Sequence, residues 1–130
     1  MIDTTEKNYY AYFFTRQDIF PEYQLVQTAH AALKMGYRAA SNWGKNAEDT
    51  LHFYQIKDFN PDKTYFTCIG VRDTQALYAV VDILTEFGFK FEVFYEPDIN
   101  KITSIAVYPI HEDHKGILAA FNLLRFGSRV

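Results

Sequence analysis

The segment Tyr9 to Thr15 reads Tyr-Tyr-Ala-Tyr-Phe-Phe-Thr. An aromatic, β-prone run of this kind, with no break in it, predicts a buried strand. A buried strand has to be covered, and the rest of the chain supplies alternating helical and β patterns to do so. Arg16 to Pro21 predicts a turn and Glu22 to Ala40 a helix. Leu25, Ala29, Ala32, Leu33 and Gly36 recur at helical spacing as its expected core face. Gln24, Thr28, Lys34 and Arg38 fall elsewhere on the wheel. Ser41 to Asp49 is polar and predicts a surface loop, in which Trp43 is expected to cover the core. Leu51 to Ile56 alternates loosely and predicts a short edge strand.

Asn60-Pro61-Asp62 is a turn signal, after which Tyr65 to Val71 predicts a second strong strand. Asp73 is placed to cap a helix over Thr74 to Phe87, whose apolar face is Ala76, Leu77, Val80, Val81 and Leu84. Gly88 is placed to end that helix in the left-handed conformation. Strands are predicted over Phe89–Tyr95 and Ile102–Tyr108. They are joined by a turn containing Pro97 and Asn100, and so are expected to be antiparallel. A last helix is predicted over Glu112–Arg125, with Ile117, Leu118, Phe121 and Leu124 inward. Parallel pairs joined by right-handed crossovers are expected at the strand–helix–strand units. The expected fold is therefore a small α/β domain, a mixed four-stranded sheet with helices on its faces.

The chain has 130 residues, enough for one domain over 1–130 and too short for two ordinary ones. Its net charge of -3 argues against strong nucleic-acid binding, which needs a clustered excess of Lys and Arg. A small phosphorylated ligand needs only a few donors. One cysteine, Cys68, excludes an internal disulfide framework, and its apolar neighbours predict a small buried hydrophobe. Met1 to Asn8 lacks the basic and apolar regions of a signal peptide, and no apolar run approaches a membrane span. The expectation is a cytoplasmic protein.

The order of elements and several local sequences resemble the type 2 peptidyl-tRNA hydrolases. Arg16 and Asp18, followed by Gln27-Thr28-Ala29-His30-Ala31-Ala32, are similar to that family's Arg-x-Asp and Gln-x-x-His-Ala-Ala. Tyr65 to Val71, Asp73, Gly88 and the strand to Glu96 form a second match, with Glu96 at the place of the Asp in the family's Asp-Ala-Gly. Tyr108-Pro109 is like the family's Gly-Pro. The resemblance leaves out roughly residues 41–62. It implies the family's α/β fold, a homodimer and, for an active member, cleavage of the ester between peptide and tRNA.

The departures fall on the reactive residues. Pro21-Glu22-Tyr23 stands where the family has Lys-Gly-Lys, so the lysine thought to help catalysis there has no counterpart. Glu96-Pro97-Asp98-Ile99-Asn100 replaces Asp-Ala-Gly-x-Thr, and Thr103 is the only threonine near the expected place.

Taken as chemistry, His30 offers a general base or a helix-packing ring, and Gln27 lies one turn earlier near the same face. Glu96, Asp98 and Asn100 crowd a turn at the carboxyl end of a strand, where open α/β sheets tend to bind ligands. Arg16, ending the first strand, is the best phosphate-binding candidate because its planar fork binds bidentately. His111 and His114 are spaced for a metal, but the acidic residues between them are ordinary for a first helical turn. No metal and no cofactor are expected. The tyrosines suit strand packing, an oligomer interface or a pocket that stacks a base.

Two functions follow. One is a non-catalytic binding protein for a small nucleotide-like or phosphorylated ligand, using Arg16, Gln27, His30, Glu96, Asp98 and Asn100. The other is a divergent peptidyl-tRNA hydrolase, with His30 and Glu96 as its catalytic pair. Binding of tRNA is expected to be weak.

Overall fold

The computed structural model describes residues 9–41 and 61–111. Strand β1 (Tyr9–Arg16) leads into helix α1 (Pro21–Ser41), and a 3-10 turn at Pro61–Lys63 opens β2 (Thr64–Val71). Helix α2 (Thr74–Glu86), β3 (Phe91–Glu96), β4 (Lys101–Val107) and the short β5 (Ile110–His111) follow. The predicted strand at Leu51–Ile56, Trp43 and the predicted helix at Glu112–Arg125 lie outside the described residues.

The sheet runs β2-β1-β4-β3, with β5 also pairing to β1. Strands β1 and β2 are parallel, Tyr9 opposite Thr64 through Arg16 opposite Val71. Strand β4 is antiparallel to both β1 and β3. Thus β3 runs in the same direction as β2 without pairing to it, because β1 and β4 stand between them. The expected parallel pair forms at the first crossover only. The crossovers β1–α1–β2 and β2–α2–β3 travel in opposite directions across the sheet. Crossovers of one hand that do this must put their helices on opposite faces.

They do. Tyr12, Phe14, Ile69, Val71, Ile105 and Val107 pack with Leu77, Val80 and Leu84 of α2. Ala11, Phe13, Ala106 and Tyr108 pack with Ala31, Met35 and Ala39 of α1. Strand β1 is thus covered on both faces, which is why it carries no polar stripe. The ends of α2 follow the sequence. Asp73 caps it by accepting from the Ala76 N–H at 3.0 Å, and Gly88 adopts φ 77° just beyond it.

Helix α1 is turned differently from the expectation. Its buried residues are Gln27, Ala31, Met35 and Ala39, whereas Leu25 and Leu33 are 74% and 73% exposed. The helix is apolar around much of its circumference, so periodicity alone does not choose a face. Polar anchors to the sheet do. Ser104 Oγ donates to the Gln27 main-chain oxygen at 2.6 Å, and Lys34 Nζ donates to the Val93 oxygen at 2.9 Å. Thr28 donates to the Gln24 oxygen at 2.8 Å, so in its 2.6 Å contact with Thr15 the proton comes from Thr15.

Among the described residues, helix α1 packs mainly on β4, β3 and β1, and it leaves the matching face of β2 uncovered. Cys68, expected to be buried, is therefore exposed, as is Phe66. Between β2 and α1 runs an apolar groove of about 670 Å³, lined by Phe13, Leu25, Ala29, Ala32, Phe66 and Cys68 among others. Desolvation at Cys68 pushes its thiol above the ordinary value.

Candidate functional site at the carboxyl edge

A β-bulge builds the centre of the site. Phe94 faces Ser104 across the β3–β4 ladder, but Tyr95 faces Ile102, so Thr103 is the extra residue. Along a regular strand successive side chains alternate between faces. Here Ile102 and Ile105 both join the α2-side core, and the two residues between them both reach toward α1. Thr103 Oγ1 donates to Gln27 Oε1 at 2.7 Å, and Ser104 Oγ donates to the Gln27 main-chain oxygen at 2.6 Å. A bulge re-aims side chains in this way, and bulges concentrate near functional sites.

Gln27 passes the connection on. Its Nε2 donates to Glu96 Oε2 at 3.2 Å. The direction of the chain is fixed by chemistry, since an ionised carboxylate only accepts and must face the amide nitrogen. The amide oxygen then faces Thr103, which has to donate. Gln27 is 7% exposed, Thr103 1% and Ser104 0%, so the two bonds from β4 to Gln27 are shielded from water. Glu96 Oε1 also accepts from the Asp98 N–H at 3.3 Å.

The adjoining turn holds the remaining polar groups. Asn100 takes a left-handed φ of 57°, which Asn tolerates better than most side chains. The Tyr95 hydroxyl donates to the Asn100 main-chain oxygen at 2.7 Å and also touches its side-chain amide. Asp98 and Asn100 are exposed. His30 lies exposed on α1 and stacks flat on Phe94, centroids 4.4 Å apart and planes 6° from parallel.

Arg16 lies at the same edge on the other side of the sheet. Alternation carries it onto the face of Tyr12 and Phe14, where it feels the charge of Asp73 at the start of α2. Its Nε and one terminal nitrogen donate to the two Asp18 oxygens at 2.7 and 2.8 Å. This fork raises Arg16 and holds the Asp18 carboxyl below its usual range, with Lys101 contributing to the second effect. The remaining terminal nitrogen of Arg16 is buried without a hydrogen-bond partner among the described residues. Lys101 sits opposite Glu96 in the β3–β4 register. Charges therefore run along the edge from Arg16 through Asp18 and Lys101 to Glu96.

The structure thus joins Gln27 to Glu96, sets Asp98 and Asn100 beside them, puts His30 one turn further along α1, and holds Arg16 across the edge. The sequence pointed to Thr103 only as the threonine near the family's expected place, and Ser104 was missed. Their signal was two adjacent hydroxyls inside the otherwise apolar run Ile102–Val107. Among the described residues, no group of three or more His, Cys, Asp or Glu is placed to hold a metal ion, and no helix is long and apolar enough to cross a membrane.

Comparison with protein-family models returns no match, and a search of curated proteins returns none either.

Proposed function

We propose that the chain is a non-catalytic binding protein that holds a small nucleotide-like or phosphorylated ligand along the carboxyl edge of its sheet. The observation that carries this reading is the chain Thr103 to Gln27 to Glu96. Ester hydrolysis needs an activated water or nucleophile and a donor for the oxyanion. Thr103 gives its one proton to a buried amide, and its release would leave that amide oxygen unpaired. His30 stacks on an aromatic ring and has no carboxylate orienting it among the described residues. Arg16 supplies the positive charge for a phosphate, and Glu96 with Asn100 supplies polar groups for the rest of the ligand. The partner is a small molecule, with tRNA bound weakly, in a cytoplasmic homodimer on the scaffold that the resemblance implies.

A divergent peptidyl-tRNA hydrolase is the second reading, favoured by the direct bond between Gln27 and Glu96. Release of free tRNA from peptidyl-tRNA by purified protein separates the two. The binding reading expects no measurable turnover. Turnover near ~1 s⁻¹ or faster, within the ordinary enzyme range, overturns it.

A further inference from the structure

The geometry points to Glu96 as an acceptor for sugar hydroxyls, with Gln27 and Thr103 as the residues that position it. This rests on the reading of the carboxyl edge as the ligand site, and adds the chemical class that Glu96 selects. Each oxygen of an ionised carboxylate accepts two hydrogen bonds. Glu96 Oε2 takes one from Gln27, and Oε1 takes one from the Asp98 main chain. Each oxygen keeps a further acceptor site, on a side chain that is half-buried at the sheet edge. An acceptor-only group repels phosphate and pairs with O–H or N–H donors. Two acceptor sites on one carboxylate match two neighbouring hydroxyls, the donor pattern of a ribose.

The positioning chain is more than a turn requires. Asp98 N–H alone would satisfy a turn glutamate, whereas here a buried glutamine is tied to a strand bulge and aimed at the carboxylate. Fixing the rotamer before the ligand arrives removes part of the ordering cost of binding. Cations at this edge include Lys101, opposite Glu96 in register, and Arg16, which lies on the other side of the sheet in its pair with Asp18.

The probes are adenosine monophosphate, its 2′-deoxy form and inorganic phosphate, titrated calorimetrically into the full chain. The wild type is expected to prefer the ribose form by about tenfold or more, the scale of a hydrogen bond to a charged group. Glu96→Gln keeps the shape and should bring the preference close to one. Thr103→Val should reduce it through Gln27, and Thr103→Ser, which keeps the hydroxyl, should retain it. Circular dichroism confirms that each variant is folded. Arg16-dependent binding with no ribose preference in the wild type overturns the hydroxyl assignment and leaves the site standing. Absence of binding by all three probes to the folded protein overturns both.

Discussion

Gln27 and Glu96 are 69 positions apart in the chain, yet the amide nitrogen of one donates to the carboxylate of the other at 3.2 Å. This bond joins α1 to the end of β3, and Thr103 backs it from β4. One glutamine therefore ties three elements together at the edge where the candidate site lies.

Gln27→Ala should be costly for that reason. It leaves the buried Thr103 hydroxyl without its acceptor and removes the donor to Glu96. A buried unsatisfied polar group costs about 1–3 kcal/mol. Urea unfolding of wild type and variant measures the loss. A change under about 0.5 kcal/mol, the level of an ordinary surface substitution, would show that the chain contributes nothing to the fold.

Asp18 occupies the fork of Arg16, so it competes with any phosphate for the same nitrogens. Asp18→Asn should tighten phosphate binding several-fold while altering stability little. The acid limb of stability follows from the depressed Asp18 carboxyl. Its contribution is present above the unfolded value near pH 3.9 and is lost as pH falls through the lower folded value. Asp18 is 39% exposed, so solvent screening keeps the contribution below about 1 kcal/mol. Thermal unfolding of wild type and Asp18→Asn at pH 6 and pH 3 should show a small gap that closes at the lower pH. Weaker phosphate binding in the variant would mean that Asp18 orients Arg16 instead of competing for it.

Cys68 tests the open groove. Desolvation raises its thiol, so less thiolate is present at any given pH than for a free cysteine. Alkylation by iodoacetamide should therefore be slower than for a free cysteine, yet go to completion in the native state, since the residue is exposed. The rate should rise with pH to a midpoint above the ordinary thiol value near 8.5. A thiol that reacts only after unfolding would show that the face of β2 beside α1 is covered.

Much of the fold was legible because local signals agreed with one another. The aromatic run of β1, the cap at Asp73 and the left-handed Gly88 each have a single physical reading, and each holds. The face of α1 was not legible. Leu25 and Leu33 are larger and more apolar than Gln27 and Ala31, but hydrogen bonds from Ser104 and Lys34 decide the rotation. Those partners are 77 and 59 positions away from the residues they bond. No periodicity carries that information. The exposure of Cys68 has the same origin, since a strand rich in apolar residues does not announce that, among the described residues, it pairs on one side with its helix displaced. At the site, the carboxyl-edge turn was visible as Glu96 to Asn100. The bulge was not, because a one-residue register shift belongs to the pairing of two strands.

The most direct test of ligand binding at this edge is calorimetric titration of adenosine monophosphate into wild type and Arg16→Ala. Saturable binding to the wild type is expected, with a loss of about 1.5–3 kcal/mol in the variant, roughly 10- to 150-fold in Kd. Equal affinity for the two proteins, with unchanged thermal stability, would contradict this expectation and put the ligand elsewhere on the molecule.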